Sequence, residues 1–166
     1  MAGVGIYETA VAPEWIDYNG HLRDAYYGLI VSYACDALMD RLGLDAAYRA
    51  RSRCTLYTLE MHLHYLHEVR GSDRVAVAVT ILGSDRKRLH AGFDLRAVGQ
   101  PEAAATAELM LLHVCQGERL TSEAFPPPVA AAIGELAVSA PAAAFGPTSR
   151  ALSLRGGPRP SAGGEP

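Results

Sequence analysis

Between positions 14 and 27 the chain reads EWIDYNGHLRDAYY, placing a carboxylate, Asp17, and a histidine, His21, on either side of an Asn19-Gly20 turn, with Asp24 opening an apolar periodic segment. An ionised carboxylate can attack a carbonyl carbon or take a proton from water. The first amides of a helix lack intrahelical partners and carry partial positive charge, so those around Asp24 and Ala25 can stabilise a developing oxyanion. Together these groups suit attack on an activated carbonyl, with Asp17, Asp24 and His21 as the catalytic candidates. A plainer reading stands beside this one, because Asp before Asn-Gly often bonds its own turn. His21 would then anchor the turn through a backbone bond. Asn19 and Gly20 serve the turn geometry, and Gly20 also permits close approach of a substrate.

These groups need elements to hold them. GIYETAVA, residues 5–12, alternates as a short strand that stops at Pro13. From Asp24 to Leu42 the apolar residues Tyr27, Ile30, Val31, Ala34, Leu38 and Leu42 recur every three or four positions, which predicts a long helix with one buried face, ended by Gly43. Asp24 suits its N-cap or first turn, and residues 44–52 add a further helical turn or two. Four alternating segments follow, over 54–69, 74–82, 89–98 and 103–115, separated by RGSD, GSDRK and GQPE. This order predicts an α+β fold, a five-stranded antiparallel sheet wrapped around one long central helix. Residues 1–120 form the main domain, 121–140 a short helical extension beginning after the prolines, and 141–166 an Ala/Gly/Pro-rich tail expected to be mobile.

The composition narrows the partners. With 166 residues, 49% of them hydrophobic, the chain can bury one sizeable core. A formal net charge of −3 argues against nucleic acid, which rewards basic faces. No apolar run reaches the roughly 18–20 residues of a membrane span, and the N-terminus lacks the pattern of a signal peptide, so a cytoplasmic protein is expected. The three cysteines, Cys35, Cys54 and Cys115, are odd in number, far apart and set in apolar segments, which predicts reduced thiols acting as small buried side chains. In HLHYLH, His62 and His64 share a strand face with Glu60, but without a further Asp or Cys nearby no metal site is expected. Glu60 and His62 are instead read as lining a polar pocket or a subunit contact.

The order strand, D-x-N-G-H-x-x-D-A-x-Y, long helix and four strands, over about residues 5–117, resembles the hotdog-fold acyl-CoA thioesterases of the 4-hydroxybenzoyl-CoA thioesterase type. The segments EVRGSDRV, GSDRKRLH and ATAELMLLHV resemble more closely the thioesterases found beside or fused to carnitine dehydrogenase, which act on betainyl-CoA. The resemblance implies an acyl-CoA substrate, no separate cofactor, and Asp17 as the catalytic carboxylate, three residues before the turn glycine. It also implies a homodimer with one continuous sheet and shared sites, which can pair again as a dimer of dimers. Many relatives have Asn-Asn where this chain has Arg23 and Asp24, so the entrance here is more charged.

Within that resemblance, Asn19, Gly20, Trp15, Tyr26, Tyr27, Glu60 and His62 are the substrate-binding candidates. Trp15, Tyr18, Tyr26, Tyr27 and Tyr57 form either an aromatic cage for a trimethylammonium acyl group, with Glu60 as counter-charge, or part of the core. Arg86, Lys87 and Arg88, with Arg53 and Arg70 nearby in sequence, form either a site for the phosphates of coenzyme A or a solvated loop. Two other activities compete with hydrolysis. Hotdog hydratases carry D-x-N-P-x-H, whereas DYNGH has the shorter spacing and no proline; a non-catalytic acyl-CoA-binding module would not depend on Asp17.

Overall fold

A computed structural model describes residues 3–142 and Phe145. The predicted tail, 141–166, therefore lies almost wholly outside the described residues. Strand β1, Val4–Ala10, runs through a short 3-10 turn at Pro13–Trp15 into helix α1, Asp24–Arg41. A short helix α2, Ala46–Ser52, precedes strands β2, Cys54–Tyr65, β3, Arg74–Ser84, β4, Arg88–Ala97, and β5, Ala105–Gln116. The chain closes with a three-residue strand β6, Leu120–Ser122, and helix α3, Pro127–Ser139.

The strands form one antiparallel sheet in the order β1-β3-β4-β5-β2, with β6 paired to the end of β5. This is the predicted five-stranded sheet with a sixth short strand added. β2 and β3 are consecutive in sequence but far apart in the sheet, so residues 66–73 must cross beneath its end. That crossing meets the candidate turn.

Helix α1 buries Tyr27, Ile30, Val31, Ala34, Cys35, Leu38 and Met39, the stripe its periodicity demands. It packs on the sheet face formed by Val75, Val77, Val79 and Ile81 of β3, Leu89, Ala91, Phe93 and Leu95 of β4, and Ala105, Ala107, Leu109 and Leu111 of β5. Gly43 adopts φ +81°, a left-handed conformation that ends the helix without a Cβ penalty. Helix α3 is more than an appendage, since Val129, Ile133 and Leu136 join the same core.

The opposite face of the sheet is polar yet partly buried. His90 Nε2 lies 2.6 Å from Glu108 Oε1, and Arg96 pairs with Asp94 at 2.7 Å. Phe145 rests on Gly92, where a Cβ would fall 2.7 Å from its ring carbons.

The cysteines depart from expectation. Cys54 and Cys115 stand opposite each other where β2 meets β5, and they form a disulfide across a sequence separation of 61 residues; only Cys35 is free among the described residues. Wide spacing in sequence pointed to isolated thiols, but strand register brings them together. Burial pushes the Cys35 thiol up to about 12, so it stays protonated near neutrality.

Candidate active site

The turn is the tip of a small hairpin. The Arg23 amide donates to the Trp15 carbonyl at 2.9 Å, Ile16 bridges Leu22, and the Asp17 amide donates to the His21 carbonyl at 2.9 Å. At the tip the Gly20 amide donates to the Asp17 carbonyl at 3.1 Å, with Gly20 at φ +83°. The hairpin is fastened to the 66–73 crossing: the Leu22 amide donates to Val69 O at 2.7 Å, the Gly71 amide to Gly20 O at 3.3 Å, and His21 bridges Arg70. Gly71 is needed for this approach, because a Cβ there would lie 3.1 Å from the Ile16 side chain.

Asp17 Oδ1 accepts from the Asn19 amide at 2.8 Å and the His21 amide at 3.2 Å. These bonds, that from His21 foremost, hold the carboxyl below its ordinary value of 3.8 against the opposing effect of desolvation. The group is therefore ionised at neutral pH, with one oxygen fixed. The Asn19 side chain adds a further hydrogen bond to the carboxylate, which favours the same charged form. The His21 ring pairs with Glu68, its Nε2 3.4 Å from Oε2, and the hydrogen bond His21 gives Asp17 comes from its main chain.

Helix α1 begins directly after the hairpin. Arg23 is its N-cap and contributes no side-chain cap; Asp24 is the first helical residue. The Asp24 Oδ1 takes the Ala25 amide at 2.9 Å, and the Tyr26 amide donates to Arg23 O at 3.0 Å. Among the described residues, that leaves the Asp24 amide without an acceptor at the positive end of the helix. The sequence offered the Ala25 amide as a second donor, but the Asp24 carboxylate occupies it.

Aromatic residues brace this corner from within. Trp15 stacks on Tyr26 with ring centroids 5.5 Å apart, and Tyr27 meets Tyr65 edge-on at 5.3 Å. The Tyr65 hydroxyl donates to Asp24 O at 3.2 Å, and the Tyr27 hydroxyl to His67 O at 3.4 Å. Tyr18 is 95% exposed, and Tyr57 bonds Gln116 at the far end of β2. The five aromatics named from sequence thus do not gather into one cage within the chain.

The remaining candidates lie elsewhere in the subunit. In β2, Met61 and Leu63 pair with Leu109 and Ala107 on the α1 side, whereas Glu60 and His62 pair with Met110 and Glu108 on the other face. Glu60 and His62 approach each other at 3.9 Å, across the sheet from Asp17. Arg86, Lys87 and Arg88 occupy the β3–β4 turn, separated from Asp17 by the length of β3, roughly 35 Å for eleven residues. There Arg88 pairs with Asp85 at 2.6 Å, Lys87 Nζ donates to Ser122 at 2.8 Å, and Arg86 is exposed.

The sequence reading missed Tyr65 and the crossing residues Val69 and Gly71. Tyr65 shares a strand face with Met61 and Leu63, the only local sign that it faces α1; nothing local marks the crossing. Beside the crossing, His67, Glu68, Arg70, Asp73, Gln100 and Glu102 line a polar cavity of about 360 Å³. A second cavity of about 350 Å³ runs between α1 and the edge strand β2, lined by Gly28, Ser32, Asp36, Met39, Thr58 and Met61 among others. Among the described residues no helix is long and apolar enough to cross a membrane.

Residues 11–133 match the thioesterase-like superfamily. A betainyl-CoA thioesterase from Pseudomonas aeruginosa is 56% identical over 108 residues, covering 65% of this chain and 68% of that protein. An L-carnitine dehydrogenase/betainyl-CoA thioesterase from Agrobacterium fabrum is 38% identical over 131 residues; the match takes in 79% of this chain but 26% of that longer protein. The structure of a Staphylococcus aureus protein in complex with CoA superposes with a TM-score of 0.77 at 32% identity, covering 85% of this chain and 89% of that one.

Proposed function

Because this chain belongs to the thioesterase-like superfamily and has the hotdog fold, we propose that it hydrolyses a small acyl-CoA, with betainyl-CoA as the first candidate, to the free acid and CoA. The observation that carries the reading is an ionised, turn-fixed Asp17 on the hairpin that leads directly into α1, whose first amide, that of Asp24, has no acceptor among the described residues. In this reaction Asp17 delivers the attack, as nucleophile or as base on water. Negative charge then gathers on the thioester oxygen, where the Asp24 N–H receives it. Collapse breaks the C–S bond, the CoA sulfur leaves and takes up a proton, and water supplies the hydroxyl of the product acid.

The reading includes a homodimer. β2 is a twelve-residue edge strand carrying exposed Leu59, Met61 and Tyr65, an arrangement that invites pairing with a second copy. Antiparallel β2–β2 pairing brings the Cys54 end of one strand to the Tyr65 end of the other. The far end of the partner's sheet, with its arginines, then approaches the Asp17 corner. This is how Arg86, 35 Å away within one chain, still serves as a candidate for the phosphates of CoA.

The test is thiol release over a panel of betainyl-CoA, neutral short acyl-CoAs and crotonyl-CoA, with wild type and Asp17→Asn. We expect hydrolysis of betainyl-CoA and a loss of about 100-fold or more in Asp17→Asn, the scale of a removed general base. Equal rates in the two proteins would remove Asp17 from the mechanism, and hydration of crotonyl-CoA without thiol release would replace the reaction.

A further inference from the structure

At the start of β2, far from the Asp17 corner, lies a cluster that the proposed hydrolysis does not use. Cys54 and Cys115 are joined across the β2–β5 register, and His113 lies two residues before Cys115 on the same strand. His113 is almost wholly buried. A ring nitrogen of His113 and the two sulfurs all lie within 4.8 Å of one another.

The surroundings fix the state of this histidine. Its Nδ1 is 3.0 Å from the Glu123 carbonyl oxygen, which can only accept, so the neutral ring carries its proton on Nδ1. Nε2 then presents a lone pair, which the Tyr48 hydroxyl engages at 2.9 Å. An imidazole held by a carbonyl on one nitrogen, with the other nitrogen basic, is the usual state of a metal-binding histidine. Phe125 packs against the ring at 5.3 Å between centroids and limits its rotation.

We propose that Cys54, Cys115 and His113 form a zinc site that the disulfide closes and reduction opens. A dithiol reductant transfers two electrons to the sulfur pair, becomes a disulfide itself, and leaves two cysteine thiols. Zn²⁺ then binds two thiolates and the imidazole Nε2, displacing the Tyr48 hydroxyl from that nitrogen, and releases two protons, with water as fourth ligand on the side of the half-buried Cys115. Ligand atoms around a tetrahedral zinc stand roughly 3.5–3.8 Å apart, so the ring nitrogen needs to approach the sulfurs by at most about 1 Å, while the two sulfurs, now bonded to each other, separate once reduced. The thiolates also cancel the charge of the dication, which a buried site requires. Soft sulfur and imidazole donors favour zinc over magnesium or calcium. This site is independent of the hydrolytic reading.

The full-length protein decides it. After reduction with a phosphine, the desalted protein is titrated with Co²⁺ and then Zn²⁺ without oxygen. We expect one equivalent of Co²⁺ to give near-ultraviolet thiolate-to-cobalt absorption, which Zn²⁺ abolishes, while protein kept oxidised gives none. Cys54→Ser or Cys115→Ser should weaken binding by more than the roughly 10- to 100-fold typical of losing an outer-shell partner. Cys35→Ser should bind as wild type does. The proposal falls if reduced protein with three titratable thiols shows no such band, if the band survives unchanged in the Cys54 or Cys115 variant, or if oxidised protein shows it too.

Discussion

Two carboxylates seven positions apart divide the labour at the α1 corner. Asp17 is held by amides that favour its charged form, so its pKa lies below the ordinary carboxylate value. Activity that depends on its ionised form should accordingly stay flat as pH falls from 7 to about 5, with loss confined to pH below about 4. A pH profile of kcat/KM checks this. The effect on stability has a definite sign: with the folded pKa depressed, the turn's contribution is present above the unfolded pKa and disappears as pH falls through the folded one. Asp24 would have a different role in the proposed hydrolysis, because its carboxylate shares the first helical turn with the amide proposed to receive the oxyanion. Asp24→Asn keeps an acceptor for the Ala25 amide while removing a charge that opposes the oxyanion. We expect a slightly lower melting temperature, from the charge lost at the positive end of the helix, and a severalfold faster turnover of neutral acyl-CoAs.

At the scale of elements, the turn, the long helix and the disulfide each carry a distinct cost of disruption. Gly20→Ala forces a side chain into φ +83° and should destabilise the protein by about 1–2 kcal/mol in a denaturant titration, with hydrolysis falling as the hairpin shifts. Opening the Cys54–Cys115 link in metal-free protein should lower stability by roughly 2–4 kcal/mol, read as a lower melting temperature under reducing conditions. Local pattern was enough to place α1, since its buried residues are those whose spacing repeats every three or four positions. It also placed the four long strands and the Asp17 turn. It was silent on β6, three residues too short to show alternation, and it misjudged the cysteines as reduced thiols, because the disulfide depends on pairing between segments 61 residues apart. Alternation in β2 was partly informative: it set Glu60 and His62 opposite Met61 and Leu63, and once those apolar residues face α1 the polar pair must face away. The position of Arg86–Arg88 at the far end of the sheet follows only from tracing β3 as a whole.

For the whole molecule, the decisive surface is the edge of β2. Replacing Leu59 and Met61 together by lysine puts positive charges on an apolar margin, and repulsion between the like-charged copies blocks the proposed pairing. If the proposed dimer forms through β2, light scattering should report half the wild-type mass for this variant, and thiol release should fall even though the helical circular dichroism is retained. A dimeric variant with full activity would move the interface elsewhere. The crossing at residues 66–73 gives this surface a longer reach. It leaves β2 at one margin of the sheet, holds the hairpin through Val69 and Gly71, and enters β3 near the other margin. In the proposed dimer, seating a second copy along β2 would therefore also brace the peptide under Asp17, like a strut drawn tight when its outer end is bolted down. Dilution below the dissociation constant of that dimer would then blunt turnover before it unfolds anything.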